Sequence, residues 1–584
     1  MLEKVDLKAK KMPKEEYKPI HDELIGKLVV LQQQARSAGV GLVVLVEGWS
    51  GAGKGSRISE LVYELDARAT KVHVTEDINP KAASEFPGIK QGVTGPDPLM
   101  KQFWQALGER GEITFYDRGW YTAAAEQMLF GLTGADPKEL KKLTKKLKDL
   151  PEGQRGAAAA RNALVQDAVG AYRDIACSFE QMLVDDGYAV VKLFVHVSKK
   201  AQKERLEALR KNPDTAWRVS KSKLALTKYY DDAYEVYDRL LEGTDFAQAP
   251  WTVVNGEDRR AANIQIAQAL VDALEHALAA GPDAAAEEAK AKAAENSAAL
   301  AGGADGGAEG KQVDDAEAQV REYEEKAATQ RALAPRGSRY LIMAGYPQID
   351  HAKPKPRIDD AEEYRAALKK EQGRFRKLQE EMYRKGVPLM IMYEGWDAAG
   401  KGGNIKRIAQ AIDARAYQIF PSPAPSKTEL AHPHLWRYWT RLPEAGKVGI
   451  YDRSWYGRVL VERVEGFATP EQWGRAYDEI NAFEHQLVQW GAVLLKFWVD
   501  ITPDEQLARF EARAADPAKT WKLTDEDWRN REKYPLYKAA VDDMFRLTST
   551  EFAPWTVLES DSKYYARIQA LRAINEALEA RLHK

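Results

Sequence analysis

The sequence contains a single cysteine, Cys177, among its 584 residues. An intrachain disulfide and a cysteine-based zinc site are therefore both excluded. An excess of charge of one sign is also missing, because 86 Lys and Arg residues face 88 Asp and Glu residues, for a formal net charge of −2. We therefore expect no nucleic-acid partner, and any anion site must be a local group of Lys and Arg side chains.

Long apolar runs are missing as well. The apolar run at residues 40–46 is far shorter than the ~20 residues that a membrane-spanning helix needs. Residues 1–6 are largely charged and lack the apolar segment of a signal peptide. We therefore expect a soluble, cytoplasmic protein without a membrane partner. Its length predicts two or more domains.

The sequence does contain a long internal duplication. The loop at residues 47–55 recurs at 394–402, and the triplet Tyr-Asp-Arg at 116–118 recurs at 451–453. A repeat of this length predicts two tandem domains. An Ala-, Glu- and Gly-rich stretch between the copies predicts a linker, with a short exposed helix near residues 313–329. The predicted division is a first domain at 1–280, a linker at 281–335 and a second domain at 336–584.

Within each copy, short apolar strands alternate with helical patterns. In the second copy we predict a helix at 364–384, a strand at 387–393, a second strand that ends in the triplet, a third at 493–499 and a last strand that begins at Trp555. This alternation predicts an α/β fold with a parallel sheet covered by helices. Ligands bind at the carboxyl ends of the strands in such sheets.

The loop of the second copy has the spacing of a phosphate-binding loop. Gly395, Gly400 and Lys401 fit the pattern G-x-x-x-x-G-K between a strand and a helix. Backbone N–H groups, the helix N-terminus and the lysine would then hold phosphate. Gly402 stands where a Ser or Thr usually binds Mg²⁺. We therefore expect Mg²⁺ at Asp397, since a carboxylate inside a phosphate loop needs a cation beside it.

The triplet of the second copy predicts a second carboxylate for the metal. Asp452 ends a strand, where it is either this metal ligand or a turn and cap residue, and the preceding loop favours the metal ligand. Arg453 would neutralise the charge of the transferred phosphoryl group. Between loop and triplet, Lys427 and Arg437 are candidate phosphate contacts for an acceptor. The pair Arg509 and Arg513 indicates either a solvated helix or a mobile lid.

Together these motifs resemble the second family of polyphosphate kinases in its two-domain form. The resemblance rests on residues 394–403 and 451–456, on Asp516-Pro517 with Lys519, Trp521 and Lys522, and on residues 553–555. It implies two thymidylate-kinase-like P-loop domains with a helical lid, Mg²⁺, inorganic polyphosphate as the phosphoryl donor and AMP as the acceptor. The implied catalytic residues are Asp397, Lys401, Asp452, Arg453, Arg509 and Arg513, with Asp397 and Asp452 as metal ligands. The implied phosphate- and nucleotide-binding residues are Gly395, Ala398, Ala399, Gly400, Gly402, Gly403, Lys427, Thr428, Glu429, Arg437, Lys519 and Lys522.

The first copy departs from this pattern. Ser50 replaces Asp397, Gln102 replaces Arg437, Asn212 replaces Asp516 and Thr215 replaces Lys519. Loss of a metal carboxylate and of cations raises the barrier to transfer, which depends on charge stabilisation. We expect the first domain to fold but to be inactive, as one half of an internal pseudo-dimer. The size of any larger homo-oligomer stays open. In the second copy, His434 stands where relatives usually carry Asp.

Other functions are compatible with parts of the sequence. An ATP-dependent nucleotide kinase on the same fold, polyphosphate-dependent phosphorylation of ADP or GDP, and a non-enzymatic polyanion-binding module are the alternatives. The last is disfavoured by the paired carboxylates Asp397 and Asp452, which repel a simple anion. Neither loop nor triplet contains a histidine nucleophile. Direct in-line transfer without a phosphoenzyme is therefore the predicted mechanism, and the resemblance implies polyphosphate as the donor and AMP as the acceptor.

Overall fold

The structure is a computed structural model. It describes residues 1–75, 97–98, 100–122, 125, 170, 173–216, 219, 227, 230–281, 313–351, 356–516, 523 and 525–583. The chain divides into two compact units. The first comprises Met1–Pro80, Leu99–Pro282 and Ala431–Pro433, and the second comprises Lys81–Pro98, Asp283–Leu430 and His434–Lys584.

The described part of the first unit contains a five-stranded sheet in which every pair of neighbouring strands is parallel. The strands, in the order β2-β3-β1-β4-β5, are β1 (Gly41–Gly48), β2 (Thr70–Val74), β3 (Ile113–Asp117), β4 (Tyr188–His196) and β5 (Trp251–Asn255). The helices are α1 (Lys14–Ala38), α2 (Lys54–Val62), α3 (Lys101–Ala106), α4 (Lys199–Lys211), α5 (Tyr230–Gly243) and α6 (Arg259–Ala280). Residues 173–185 are also helical.

The second unit repeats this architecture in its described residues, with parallel strands in the order β7-β8-β6-β9-β10. The strands are β6 (Leu389–Gly395), β7 (Tyr417–Pro421), β8 (Val448–Asp452), β9 (Val493–Asp500) and β10 (Trp555–Glu559). The helices are α7 (Val313–Leu333), α8 (Ala361–Arg384), α9 (Lys401–Ala409), α10 (Lys427–Leu430), α11 (Trp436–Trp439), α12 (Val461–Val464), α13 (Pro470–Gln489), α14 (Pro503–Ala514), α15 (Asp525–Glu532), α16 (Tyr534–Thr548) and α17 (Lys563–Leu582). The predicted α/β fold with two parallel sheets is confirmed.

One strand in each unit was not predicted from the sequence. β2 and β7 lie at an edge of their sheets, and three of the five residues in β7 are exposed. A strand without a buried face has neither the continuous apolar run nor the alternation that indicates a strand. The sequence prediction therefore went directly from the phosphate-loop helix to β3 or β8.

The helix predicted near residues 313–329 forms, and it extends over Val313–Leu333. It belongs to the second unit and packs against α16, so it is not simply an exposed helix. Ala327 is buried, and Arg331 forms an ion pair with Asp542 of α16 at 2.9 Å. Among the helices that the structure describes, none is long and apolar enough to cross a membrane.

The register of the second sheet brings the loop and the triplet to the same edge. Tyr393 of β6 pairs with Asp452 of β8, and Gly395 pairs with Val499 of β9. Carboxyl ends of parallel strands lie side by side, so the segments that follow β6 and β8 start from neighbouring positions. The candidate site is therefore built on the central strands of a buried sheet.

Candidate active site

The phosphate loop of the second unit has the backbone that its glycines predict. Gly395 has a φ of 147°, and a Cβ placed on it would lie 2.3 Å from the carbonyl oxygen of Val499. Only glycine fits so close to a neighbouring strand. Ala398 has a φ of 59°, a left-handed conformation that is rare for a residue with a side chain. Such strain is concentrated at functional sites, because the surrounding structure must enforce it.

Lys401 begins helix α9 and folds back over the loop. Its Nζ donates to the carbonyl oxygens of Gly395 at 2.6 Å and Trp396 at 3.1 Å. Burial lowers the pKa of Lys401, while the charges of Asp397 and Asp452 oppose that shift. The lysine is therefore close enough to both predicted metal carboxylates to interact with their charges.

Asp397 and Arg453 contact each other across the site. Arg453 Nη2 donates to Asp397 Oδ1 at 3.3 Å. Arg453 has a φ of 61°, and its N–H donates to the carbonyl oxygen of Tyr393. Burial disfavours the charged guanidinium, but Asp397 and Glu394 outweigh it and raise the pKa of Arg453. The structure thus brings together Asp397, Lys401, Asp452 and Arg453, four of the six residues predicted to be catalytic.

The donor set fits a magnesium ion that is shared with substrate. No group of three or more His, Cys, Asp and Glu side chains in the described ranges is placed to hold a metal by itself. Mg²⁺ is usually bound by one or two carboxylates together with substrate phosphates and water. Asp397 and Asp452 are two carboxylates of this kind, and the cations Lys401 and Arg453 lie beside them.

Arg509 contacts the backbone of the phosphate loop in the described structure. Its Nη1 donates to the carbonyl oxygens of Ala398 at 3.0 Å and Ala399 at 2.9 Å, and its Nη2 donates to that of Ser560 at 2.5 Å. Its side chain is only 6% exposed. These contacts identify Arg509 as a support for the strained loop backbone. Arg513 lies one turn later on the same helix, α14.

The stretch predicted to bind the acceptor begins beside the triplet. Ser422, directly after β7, donates from its N–H to the carbonyl oxygen of Asp452 and from Oγ to that of Arg453. Lys427 and Thr428 of α10 are exposed.

Arg437 on α11 is buried, and its Nε lies 3.3 Å from Oε1 of Glu429. Within the described residues no group accepts a hydrogen bond from Arg437 Nη2. A buried guanidinium nitrogen without an acceptor suits a phosphate oxygen.

Three further residues that the sequence analysis named are Lys519, Lys522 and His434. Lys519 and Lys522 fall outside the described residues. The side chain of His434 is 9% exposed, with its Nε2 3.2 Å from Oε2 of Glu479. Burial lowers the pKa of His434 well below its ordinary value, so this ring is neutral at pH 7.

The sequence analysis did not find Asn530. This residue of α15 donates from Nδ2 to Asp397 Oδ2 at 2.8 Å, and its Oδ1 accepts a hydrogen bond from Tyr537 at 3.2 Å. No motif marks it. With the offset of 304 residues that relates the two copies here, however, Asn530 corresponds to Leu226. The copy without Asp397 thus also lacks its amide partner, and comparison of the copies is the signal that reveals the residue.

A buried ion pair behind the triplet was also missed. Lys496 and Glu484 are both fully buried and lie 2.8 Å apart, and Lys496 also donates to the carbonyl oxygen of Thr548. Glu484 accepts from Trp455 and Tyr456, the two aromatic residues that follow the triplet. The first unit repeats the pair as Lys192 and Glu180. This network anchors the segment after Arg453 to the core.

The first unit keeps the loop geometry without its carboxylate. Lys54 Nζ donates to the carbonyl oxygens of Gly48 and Trp49, and Arg205 donates to those of Ala52 and Gly256. Ser50 stands in place of Asp397. The two units therefore share the loop supports but differ at the predicted metal site.

Comparison with known proteins supports the same assignment. Residues 11–155, 163–281 and 358–584 match the model of the polyphosphate kinase 2 family. The polyphosphate:AMP phosphotransferase of Pseudomonas aeruginosa is 34% identical over 554 residues, which cover 95% of this chain and 93% of that protein. The GDP-polyphosphate phosphotransferase of Mycolicibacterium smegmatis is 41% identical over 198 residues, or 34% of this chain and 70% of that protein.

The fold has a counterpart among solved structures. The crystal structure of a candidate polyphosphate kinase 2 from Pseudomonas aeruginosa PA01 is similar over 100% of this chain and 99% of that chain. The TM-score is 0.68 and the sequence identity is 31%. Fold, family match and full-length relatives agree with the motifs at residues 394–403 and 451–456. The chain therefore belongs to the polyphosphate kinase 2 family.

Proposed function

We propose that this protein transfers the terminal phosphoryl group of inorganic polyphosphate to AMP. A P–O bond of the donor breaks and a bond to an oxygen of the AMP phosphate forms, which gives ADP and a polyphosphate shortened by one unit. The observation that carries this proposal is the convergence of Asp397, Asp452, Lys401 and Arg453 at one sheet edge. The full-length relative named for AMP as acceptor supports the choice of substrate.

The proposed cofactor is Mg²⁺, held by Asp397 and Asp452. When bound, Mg²⁺ supplies positive charge to phosphate oxygens. The loop amides and Lys401 hold the donor, and Arg453 stabilises charge on the group in transfer. Arg437 and Lys427 bind the phosphate of AMP. Because no histidine lies in the loop or the triplet, transfer is direct and forms no phosphoenzyme.

The first unit is proposed to be non-catalytic, because Ser50 cannot replace the metal ligand Asp397. The proposed site of action is the cytoplasm, a reducing compartment that suits a chain with a single cysteine. A second candidate acceptor is a nucleoside diphosphate. The GDP-polyphosphate phosphotransferase that matches a third of this chain favours it.

The test is an incubation of the full chain with Mg²⁺, long-chain polyphosphate and one acceptor, which is AMP, ADP or GDP. We expect ADP from AMP as the fastest reaction. Rapid formation of a triphosphate, with AMP unchanged, would instead identify a nucleoside diphosphate as the acceptor. A parallel incubation with ATP and AMP tests the donor, and turnover with ATP but not with polyphosphate would overturn the proposal.

A further inference from the structure

His351 contacts the buried carboxylate of Asp500 in the second unit. The Nε2 atom of His351 lies 3.1 Å from Oδ2 and 3.3 Å from Oδ1 of Asp500. Asp500 ends β9, and its side chain is only 1% exposed, against 18% for that of His351. An ionised carboxylate only accepts hydrogen bonds, so Nε2 carries the proton that faces it. His351 therefore stabilises a buried negative charge, which is costly to the fold without a partner.

The same carboxylate holds the tryptophan of the phosphate loop. Trp396 Nε1 donates to Asp500 Oδ1 at 2.8 Å, and both side chains are buried. The carbonyl oxygen of Trp396 accepts from Lys401 Nζ at 3.1 Å and from the N–H of Ala399 at 3.1 Å. Trp396 also directly precedes Asp397. The position of the Trp396 side chain therefore affects the backbone that carries Lys401 and Asp397.

Tyr534 of α16 contacts both the tryptophan and the histidine. Its ring centroid lies 4.9 Å from that of Trp396, and its hydroxyl oxygen lies 3.4 Å from Nδ1 of His351. Ring packing thus holds one face of the indole, while Asp500 holds its N–H. The four residues His351, Asp500, Trp396 and Tyr534 are here called the Trp396 network.

The segment that carries His351 is itself attached to the second unit. The N–H of Met343 donates to the carbonyl oxygen of Ser549 at 2.9 Å. The N–H of Glu551 donates to the carbonyl oxygen of Leu341 at 3.1 Å. This segment precedes α8 and therefore lies outside the strand, loop and helix that form the phosphate-loop motif. His351 thus reaches the network from a part of the chain that the motif does not include.

The first unit provides an internal comparison, because it holds its loop tryptophan without a carboxylate. Trp49 corresponds to Trp396, and its Nε1 donates at 2.9 Å to Nδ1 of His196. At the offset of 304 residues, His196 corresponds to Asp500. Burial lowers the pKa of His196 to about 4, so this acceptor is neutral at pH 7. The second unit instead combines a carboxylate acceptor with His351.

A charged acceptor gives the loop of the second unit the stronger hydrogen bond. Bonds to an ionised acceptor are roughly twice as strong as bonds between neutral groups. Phosphoryl transfer depends on charged groups that are already in place before the reaction, so a firmly held loop favours it. The stronger bond occurs in the unit that keeps the predicted metal carboxylate Asp397. His351 offsets the cost of the buried charge that this bond requires.

We propose that His351 is a positioning residue for phosphoryl transfer in the second unit. It holds the buried carboxylate of Asp500, and Asp500 in turn fixes Trp396 and the backbone that places Asp397 and Lys401. In this proposal His351 acts through the tryptophan and does not touch the substrate. The inference deepens the proposed function and rests on it for the kinetic test.

A double-mutant cycle tests whether His351 acts through Trp396. We expect His351→Leu to lower kcat with polyphosphate and AMP about tenfold, while the KM for AMP changes less than about twofold, because the acceptor site is unaffected. Trp396→Phe has no indole N–H, so adding His351→Leu to it should lower kcat by less than a further twofold or so, about the limit of additivity errors. A tenfold loss in both backgrounds would overturn the proposal.

Two further variants serve as controls. The amide of His351→Gln can donate where Nε2 does, so its kcat should stay within about threefold of the wild type. His583 forms an exposed pair with Glu381 at 3.4 Å, outside the Trp396 network, and His583→Leu should behave as the wild type. Equal losses of kcat in His351→Leu and in either control would overturn the proposal. Circular dichroism follows the fold, and an unfolded His351→Leu would show a structural role and overturn it as well.

Hydrogen exchange without substrate separates this inference from the proposed function. Residues 396–404 should exchange about tenfold faster in His351→Leu than in the wild type, and at nearly the wild-type rate in His351→Gln. This result supports the Trp396 network even if the wild type shows no transfer to AMP, which would overturn only the proposed function. Unchanged exchange in His351→Leu overturns the inference, whatever the activity.

Discussion

Asn530 and Asp397 are joined by a hydrogen bond of 2.8 Å from Nδ2 to Oδ2. The other oxygen of this carboxylate accepts from Arg453, and Asn530 itself is held by the hydroxyl of Tyr537. The carboxylate inside the phosphate loop is thus oriented from both sides. Partners of this kind fix the direction of a metal ligand and influence metal affinity.

We expect Asn530→Ala to lower the affinity for Mg²⁺ and kcat/KM by about tenfold each, because Asp397 loses the partner that orients it. Isothermal titration of the metal without substrate measures the first effect. Glu532→Gln, an exposed change at the end of the same helix, is the control and should have no effect. A kcat/KM that falls while metal affinity stays at the wild-type value would contradict an action through Asp397.

Removal of either proposed metal carboxylate should nearly abolish transfer. We expect Asp397→Asn and Asp452→Asn each to lower kcat at least about a hundredfold, since charge stabilisation is the main source of catalysis in phosphoryl transfer. Steady-state assays with polyphosphate and AMP measure this. Ser50→Ala changes the corresponding position of the first unit and should leave kcat near normal. A near-normal rate in both asparagine variants would exclude the two-carboxylate site.

Arg509→Lys distinguishes support of the loop from direct contact with phosphate. A lysine cannot reproduce the guanidinium contacts to Ala398, Ala399 and Ser560. We expect faster hydrogen exchange in residues 396–404 and a fall in kcat/KM of about ten- to a hundredfold.

Arg205→Lys is the matched control in the first unit, and it should loosen residues 49–57 without loss of activity. Loss of activity in Arg509→Lys with unchanged exchange would instead assign this arginine to the substrate.

The stability of the first unit should depend on pH through His196. Its Nδ1 accepts a hydrogen bond from Trp49 at 2.9 Å, and burial lowers its pKa to about 4. Below the ordinary pKa of 6.5 the unfolded chain binds a proton that the folded chain does not. The free energy of unfolding therefore falls as the pH decreases from 6.5 to 4, by at most about 1.4 kcal/mol per pH unit.

Hydrogen exchange of residues 188–197, corrected for the intrinsic rate at each pH, measures this effect. Protection should decrease in the wild type over that range. In His196→Asn, whose amide oxygen can still accept from Trp49, we expect protection to change less. An equal loss of protection in both proteins would show that another group causes the pH dependence.

Replacing only one member of the buried pair Lys496 and Glu484 should lower the free energy of unfolding more than replacing both. Lys496→Met leaves a buried carboxylate without its partner, and we expect a loss of about 3–5 kcal/mol in the free energy of unfolding. Lys496→Met/Glu484→Leu should lose less than the single variant, because no charge remains unpaired. Urea denaturation of the second unit, followed by circular dichroism, checks the order. A double variant less stable than the single one would contradict this account.

The repeated fold and the motifs at the centre of the candidate site could be predicted from the sequence. The phosphate loop at Gly395–Lys401 could be predicted from the spacing of a few residues, because its backbone conformation requires glycines at fixed positions. The triplet could be predicted as well, because Asp452 ends a buried strand. Comparison of the two copies also showed that Ser50 stands in place of Asp397, the predicted metal carboxylate, which no single copy could reveal.

The residues that support this centre from distant parts of the chain could be identified only in three dimensions. Asn530 and Asp397 are 133 residues apart, and their contact depends on where α15 packs, which no local pattern specifies. The sequence indicated a solvated or lid position for Arg509, whereas in the structure its side chain contacts the loop backbone at Ala398 and Ala399. The edge strand β7 forms through pairing with β8, without an apolar face of its own. Local spacing fixes the conformation of a segment, whereas packing between segments fixes what its side chains contact.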